Sequence, residues 1–318
     1  HCPCTPKPKK DSSPEELILF KEKKKKSKLS VIGAQQISAL RKSLNEEEYN
    51  EKNLVVSVDG SYTNESVLKA LDEKVVIIGR VRKDCKLHQT PTLTQNGKVG
   101  RNRVYGTALP TPECIRQSDQ YEWRDVKAWA TGKIHTFQIK TIDAVRWRKA
   151  GGQDMRLVII RPIGYRLTKQ SKLLYKEPAY LICTSVKLPV EKLLQAYLWR
   201  WGIEVNFRDQ KTLLGCGQAQ VRKEIPCSKV PQFVTAVYSM LLLASSQAKI
   251  IDLPRPKWYT KLKTQRTTTQ DLLNQFKAIK WTDSIKINFS DFVMMENKQR
   301  NAKNNPIHSL SSLFYTRN

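Results

Sequence analysis

Histidine is scarce in this chain, with four among 318 residues, and that shortage argues against a His-rich metal site. Cysteine offers no framework either. Seven cysteines stand at 2, 4, 85, 114, 183, 216 and 227, an odd and scattered set in which only Cys2 and Cys4 are close. A lone C-x-C is no zinc signature, and scattered thiols suit a reducing cytoplasm rather than a disulfide scaffold. Long apolar runs are missing too. The longest apolar stretch, "FVTAVYSMLLLASSQAKII", is interrupted by Thr, Ser, Gln and Lys, which reads as a buried helix and not as a membrane span. There is no internal repeat. The opening residues, "HCPCTPKPKK", contain neither an initiator Met nor a signal-peptide pattern, so the chain reads as a fragment of a longer protein.

Acidic residues are the most telling deficit. Asp and Glu number 29 against 56 Lys and Arg, a formal net charge of +27. Such an excess speaks about partners, and a polyanion, nucleic acid first, is the one it fits. An anionic membrane surface fits less well, because no basic amphipathic helix stands out. A hydrophobic fraction of 40% is enough for a real core.

Residues 1–30 are rich in Pro and Lys, with the run "KEKKKKSK", and read as a basic linker or loop. Ile37, Leu40 and Leu44 have helical spacing. Leu54 to Val58 is a short strand of the buried type that ends at Asp59. "NESVLKALDE" follows as a helix with Asn64 at its N-cap, and "KVVIIGRVRKDCKLH" contains a second strand. Strand, helix, strand implies a parallel pair. "NGKVGRNRVYG" is a Gly-punctuated basic loop, and three further segments read as a meander: "KIHTFQIKTIDAVRWRK", "DMRLVIIRPIGYRL" and "PAYLICTSV". Helices return over 190–214 and 231–251. The order predicts an α/β core, parts 31–89 and 191–251, interrupted by a β-rich insertion over 90–190 and followed by a basic tail over 252–318.

Two carboxylates draw attention. Asp59 stands at the C-terminal end of a strand, where functional residues of open α/β sheets collect; it also suits a plain turn with a helix cap. Glu204 lies in "AYLWRWGIEVNFRDQK", where it could simply pair with Arg200 or Arg208. Read as one helix at ~100° per residue, this stretch aligns Tyr197, Arg200, Glu204 and Lys211 within an arc of about 60°. Carboxylates gathered in a basic protein make a poor structural device and a good seat for Mg²⁺ or Mn²⁺, hard cations that take oxygen ligands. A pair of such ions about 3.5–4 Å apart can drive phosphodiester transfer. Tyr197, Arg200 and Lys211 then suit phosphate oxygens. Lys98, Arg101 and Arg103, in the basic loop, are candidates to touch the DNA backbone.

The spacing Y-x2-R-x3-E-x6-K, from Tyr197 to Lys211, resembles the YREK signature of DDE-class insertion-sequence transposases of the insertion-sequence-four type. "VDGSYTN", "GRVRKDCKLH" and "GRNRVYG" resemble segments of the same family, over roughly residues 50–220. The resemblance implies an RNase H-like core with a β-strand insertion before the last catalytic residue, and metal-dependent cutting and joining of transposon ends. It implies Asp59 and Glu204 as catalytic metal ligands, with Tyr197, Arg200 and Lys211 on the DNA near the transposon terminus. It also implies duplex DNA as partner, a homodimer on that DNA, and a bacterial, nucleoid-associated protein with no membrane.

In the RNase H-like fold the first catalytic Asp precedes a strand hairpin and the second precedes a helix. Asp59 has helices on both sides, so it reads as the second Asp, with the first expected upstream of residue 1 and this chain alone expected to be inactive. The rival assignment makes Asp59 first and Asp84 second. Two other functions stay open: a non-catalytic basic DNA-binding protein derived from a transposase, and an RNA-binding protein. No aromatic single-strand RNA motif supports the last.

Overall fold

A computed structural model of the chain describes residues 7–9, 12–91, 103–130, 133–166, 170–247 and 267–288. The chain divides into two compact units, Cys2–Gly202 and Ile203–Asn318. The larger is a mixed α/β unit built on one main sheet, with a separate two-stranded ribbon of β7 (Gly164–Tyr165) and β8 (Leu174–Tyr175). Strands β1 (Leu54–Val58), β2 (Val75–Arg80), β3 (His88–Gln89), β4 (Arg124–Ala130), β5 (Lys133–Arg146), β6 (Met155–Ile160) and β9 (Ala179–Cys183) all belong to the main sheet. The order is β1-β2-β9-β6-β5-β3, with β4 also paired to β5. β1 and β2 run parallel, as the strand–helix–strand pattern requires, and the other pairings are antiparallel. The expected meander is present as β5, β6 and β9. These strands do not form a sheet of their own: β9 pairs directly with β2.

The central strands β2, β6 and β9 are mostly apolar because both faces of the sheet are covered. Along β6, Met155, Leu157 and Ile159 enter one core while Val158 and Ile160 enter the other. β2 splits the same way, with Val75 and Ile77 on one side and Val76 and Ile78 on the other. The first face is closed by α2 (Leu29–Glu46), through Ala34 and Ile37, and by α3 (Glu65–Leu68), through the buried Val67 and Leu68. The second is closed by α5 (Val190–Trp199), through Leu193 and Leu194. At roughly 1.5–3 kcal/mol for each fully buried aliphatic side chain, these contacts dominate the unit's stability.

Polar side chains set the connections. Arg41, the buried residue of α2, donates to the carbonyls of Lys52 (2.6 Å) and Tyr49 (3.0 Å) and so fixes the entry to β1. Asn64 caps α3 by accepting from the Val67 N–H at 3.2 Å, as its position predicts. The short helix α4 (Pro112–Gln117) is tied down at its far end by Lys140 of β5. That buried ammonium donates to the carbonyls of Ile115, Arg116 and Ser118, and burial pulls its pKa below the ordinary lysine value.

The stretch read as a linker carries a helix, α1 (Pro14–Lys26). Ser13 and Glu16 form a reciprocal capping box, two acids sit in the first turn and four lysines in the last, so local rules suffice to fold it. None of its residues is buried.

The smaller unit comprises α6 (Gly202–Thr212), α7 (Glu224–Gln247) and α8 (Thr269–Asn288). Its contacts are largely polar. Tyr238 of α7 donates to Asn206 (2.9 Å), Thr235 donates to Gln210 (3.1 Å), and Thr269 of α8 donates to the buried Asp209 (2.7 Å). α7 corrects one expectation: the apolar stretch is helical, but among its described residues only Tyr238 is buried. Among the described residues it is the one helix long and apolar enough to cross a membrane, by length and composition alone. Most of the tail expected over 252–318 lies outside the described residues.

Candidate functional site

β1 delivers Asp59 to the C-terminal edge of the sheet. Its chain then turns through a 3₁₀ segment, Gly60–Tyr62, in which the Asp59 carbonyl accepts from the Tyr62 N–H at 2.9 Å. The Asp59 side chain occupies the cap position of this turn but makes no capping hydrogen bond, and it is exposed. The turn is held against β2 at Gly79. A Cβ there would overlap the hydroxyl of the buried Thr63 and come within 2.9 Å of Val58, so glycine is what lets the Asp59 turn approach the neighbouring strand.

Asp59 faces a cavity of about 980 Å³ whose walls carry Arg80, Arg82, Lys83, Lys86, Arg116 and Lys149, with Trp147 and Tyr180 beside them. Two of its acids are already paired. Arg82 forks Asp84 at 3.1 and 3.3 Å in the loop after β2. Arg116 forks Glu113 at 2.6 and 3.0 Å, and Tyr180 also donates to Glu113. These donors, Arg116 first, hold the Glu113 carboxyl down at about 2. Burial and the Glu113 charge push the Tyr180 hydroxyl up to about 12, and burial pushes the Cys85 thiol up to about 12 as well. A thiol so protonated is a poor nucleophile. The five described cysteines are all unpaired.

α5 brings two more predicted residues to this edge. It packs on β4, β1 and β2, and its start is fixed by the buried Arg156 of β6, which binds Asp143 and the carbonyls of Val186 and Leu188. Gln195 completes the seating by donating to the Trp129 carbonyl at 3.0 Å and accepting from its N–H at 2.8 Å, so the exposed edge of β4 gains a partner. Tyr197 lies within electrostatic reach of Arg80, Arg200 and Asp59. Burial raises its hydroxyl pKa most, and the two guanidiniums pull against that. The Arg200 guanidinium stands 5.9 Å from the Tyr197 ring centre. Asp59, Tyr197 and Arg200 are thus brought together in the larger unit, with Arg80 added. The residues at positions 80, 83, 86, 116 and 149 were not singled out in the sequence; the basic run "GRVRKDCK" directly after a strand was the available signal for the first three.

The single helical stripe expected from Tyr197 to Lys211 is a correction. The helix breaks after Trp199: Arg200 and Trp201 form a tightened turn, with N–H groups donating to Tyr197 and Leu198, before α6 starts at Gly202. Glycine costs about 1 kcal/mol relative to alanine in a helix, and Trp199 and Trp201, on either side of Arg200, are both exposed. Glu204 lies in the first turn of α6 and Lys211 in its last turn, both exposed. Arg103 is exposed beside Val104, whose carbonyl is held by Arg146 at 2.7 Å; Lys98 and Arg101 lie outside the described residues.

Among the described residues no group of three His, Cys, Asp or Glu could hold a metal ion. The donor at hand in the larger unit is the exposed, uncapped carboxylate of Asp59, which suits a hard cation that keeps most of its waters.

A carboxylate set among cations and aromatics at a sheet edge is chemically suited to a phosphate-bearing ligand. A family model for the Transposase DDE domain matches residues 33–226, more than half of the chain, and the chain belongs to that family. No curated protein matches it. Membership makes it a transposase-type protein acting on DNA, of a family whose cutting and joining chemistry is in general metal-dependent, and the mixed α/β architecture agrees with it.

Proposed function

We propose that this chain belongs to the insertion-sequence-four type of transposase, with Asp59 as the second and Glu204 as the third acidic residue of the catalytic set. The observation that carries the reading is Asp59 itself, exposed and uncapped at the end of β1, within reach of Tyr197 and surrounded by cations. The helical neighbours of β1 support the second position for Asp59. The pairing of Asp84 with Arg82 speaks against the rival assignment. Tyr197, Arg200 and Lys211 bind the phosphates next to the scissile bond, and Lys98, Arg101 and Arg103 bind the flanking backbone. The parallel pair β1–β2 belongs to an RNase H-like core, and residues 90–190 are its insertion, extending the same sheet. The protein works on duplex DNA as a dimer in the bacterial cytoplasm, and α7 packs in protein rather than in a membrane.

Asp59 and Glu204 would hold Mg²⁺ or Mn²⁺. When bound, the ions would activate the attacking oxygen and stabilise the leaving one. The chain's own residues position the DNA strand: Arg200 forks phosphate oxygens and Tyr197, kept protonated, donates to them. The test is Mn²⁺ binding to the DNA-free protein, followed by electron paramagnetic resonance. Weak binding that is lost in Asp59→Asn and in Glu204→Gln, with affinity for a duplex kept within about twofold, is the expected result. Mn²⁺ binding that is absent, or unchanged in both variants, overturns the assignment. It would favour the second reading, a DNA-binding protein without chemistry.

A further inference from the structure

Between β6 and β9 the chain leaves the sheet and returns as a two-stranded ribbon, β7 (Gly164–Tyr165) and β8 (Leu174–Tyr175). Gly164 pairs with Tyr175 and Tyr165 with Leu174, and the Lys176 N–H donates to Ile163 at 3.0 Å. The ribbon makes a sheet of its own and keeps its apolar side chains in solvent: Ile163, Tyr165, Leu173 and Leu174 are each more than a third exposed and Tyr175 is 66% exposed. A two-stranded ribbon with unburied aromatics is marginal by itself, which points to a partner that covers it.

Charge names the partner. From Arg161 to Lys176 the sequence holds five cations and no acid. Of these, Arg166, Lys172 and Lys176 are exposed on the ribbon, and the Lys176 ammonium stands 5.9 Å from the centre of the Tyr165 ring. A second copy of so basic a ribbon would be repelled, whereas a phosphate backbone would be drawn to it.

Register places the ribbon. Ile160, the end of β6, pairs with Ala179, the start of β9; Leu181 pairs with Arg80; and Gly79 pairs with Val58, the residue before Asp59. The ribbon therefore emerges from the same sheet edge as Asp59, and its returning residues Glu177 and Pro178 line the cavity that Asp59 faces.

We infer that this ribbon is a DNA-holding arm: Arg166, Lys172 and Lys176 grip backbone phosphates of the duplex flanking the Asp59 edge, and Tyr165 and Tyr175 lie against its sugars and bases. The inference rests on the DNA-acting reading above, and its test separates the two. Two variants of the full chain are compared with the parent for binding to a 30-base-pair duplex, by fluorescence anisotropy from ~50 to ~200 mM salt. Arg166→Ala/Lys172→Ala/Lys176→Ala should flatten the log–log salt slope by about 2–3, since each lost phosphate contact removes about 0.9. Tyr165→Ala/Tyr175→Ala should weaken binding by at least about fivefold while leaving the slope unchanged, because uncharged contacts to sugars and groove edges release no counterions. Unaltered circular dichroism shows that both variants fold. If the parent binds with a steep slope and both variants match it, the arm is overturned and the DNA reading stands. If the parent binds no DNA, both fall. A DNA-free dimer that the tyrosine variant dissolves would also overturn the arm, by assigning its surface to a second copy of the chain.

Discussion

Glu113 shows how one residue can report on the cavity beside Asp59. It accepts from Arg116 and Tyr180 in the cavity wall, and these donors hold its carboxyl down at about 2. A carboxylate with a depressed folded-state pKa adds stability that is complete above its ordinary pKa, near 4.5, and is lost as pH falls toward the folded value. Glu113→Gln should therefore cost about 1.5–3 kcal/mol at pH 7, the range for hydrogen bonds to charged groups. The gap between parent and variant should narrow below pH 4.5 and close as pH approaches 2. Urea unfolding of both proteins at several pH values checks this, and a gap independent of pH would show that the ion pair contributes nothing specific. Gly79 makes a different point at the same scale. Its lack of a side chain is a requirement of the Thr63 turn, which packs against it from sixteen residues upstream, and no local reading of "VVIIGR" could have supplied that reason.

Among elements, those governed by local rules were legible. β1, the cap at Asn64, β2 and the three strands of the meander follow from apolar runs and turn residues, and all stand where the sequence put them. Elements decided by tertiary context were not. The helix break at Arg200–Trp201 falls just before Gly202 and between two exposed tryptophans, while the residue spacing across it is perfectly helical. The exposure of α7 depends on which neighbours reach it. Half of the candidate site was legible for the same reason: Asp59 is marked by its strand end, whereas Arg80, Arg116 and Lys149 come from three separate segments that only the folded sheet gathers. α5 is the element that carries Tyr197 to that place, and Gln195 clamps it to the edge of β4 through the Trp129 backbone. Gln195→Ala should remove both hydrogen bonds, lower stability by about 1–2 kcal/mol and speed hydrogen exchange at the Trp129 amide. Unchanged exchange at Trp129 would mean that the apolar contacts of α5 and the Arg156 bonds at its start seat the helix without Gln195.

For the whole molecule the governing quantity is a formal charge of +27. A protein bearing it repels itself at low ionic strength and attracts any polyanion, so affinity for DNA alone discriminates little; the dependence of that affinity on salt discriminates more. Binding that neutralises 6–10 phosphates weakens by about 10³–10⁵ between 50 and 200 mM salt. The cations around Asp59, the ribbon and the loop at Arg103 are enough for a footprint of that size. Duplex DNA binding by the full chain should therefore fall at least about a hundredfold over that range. Because the proposed contacts are to phosphates, the fall should be nearly the same for duplexes of unrelated sequence, with any preference for a particular end appearing as a vertical offset between parallel lines. Anisotropy titrations on two unrelated duplexes measure both features. An affinity that stays flat with salt would mean that the basic surfaces are solvated faces and that the DNA-holding role of the cavity and its surroundings is wrong. Lines of different slope would mean that the number of phosphates engaged depends on sequence, so that the duplex is read partly through its shape.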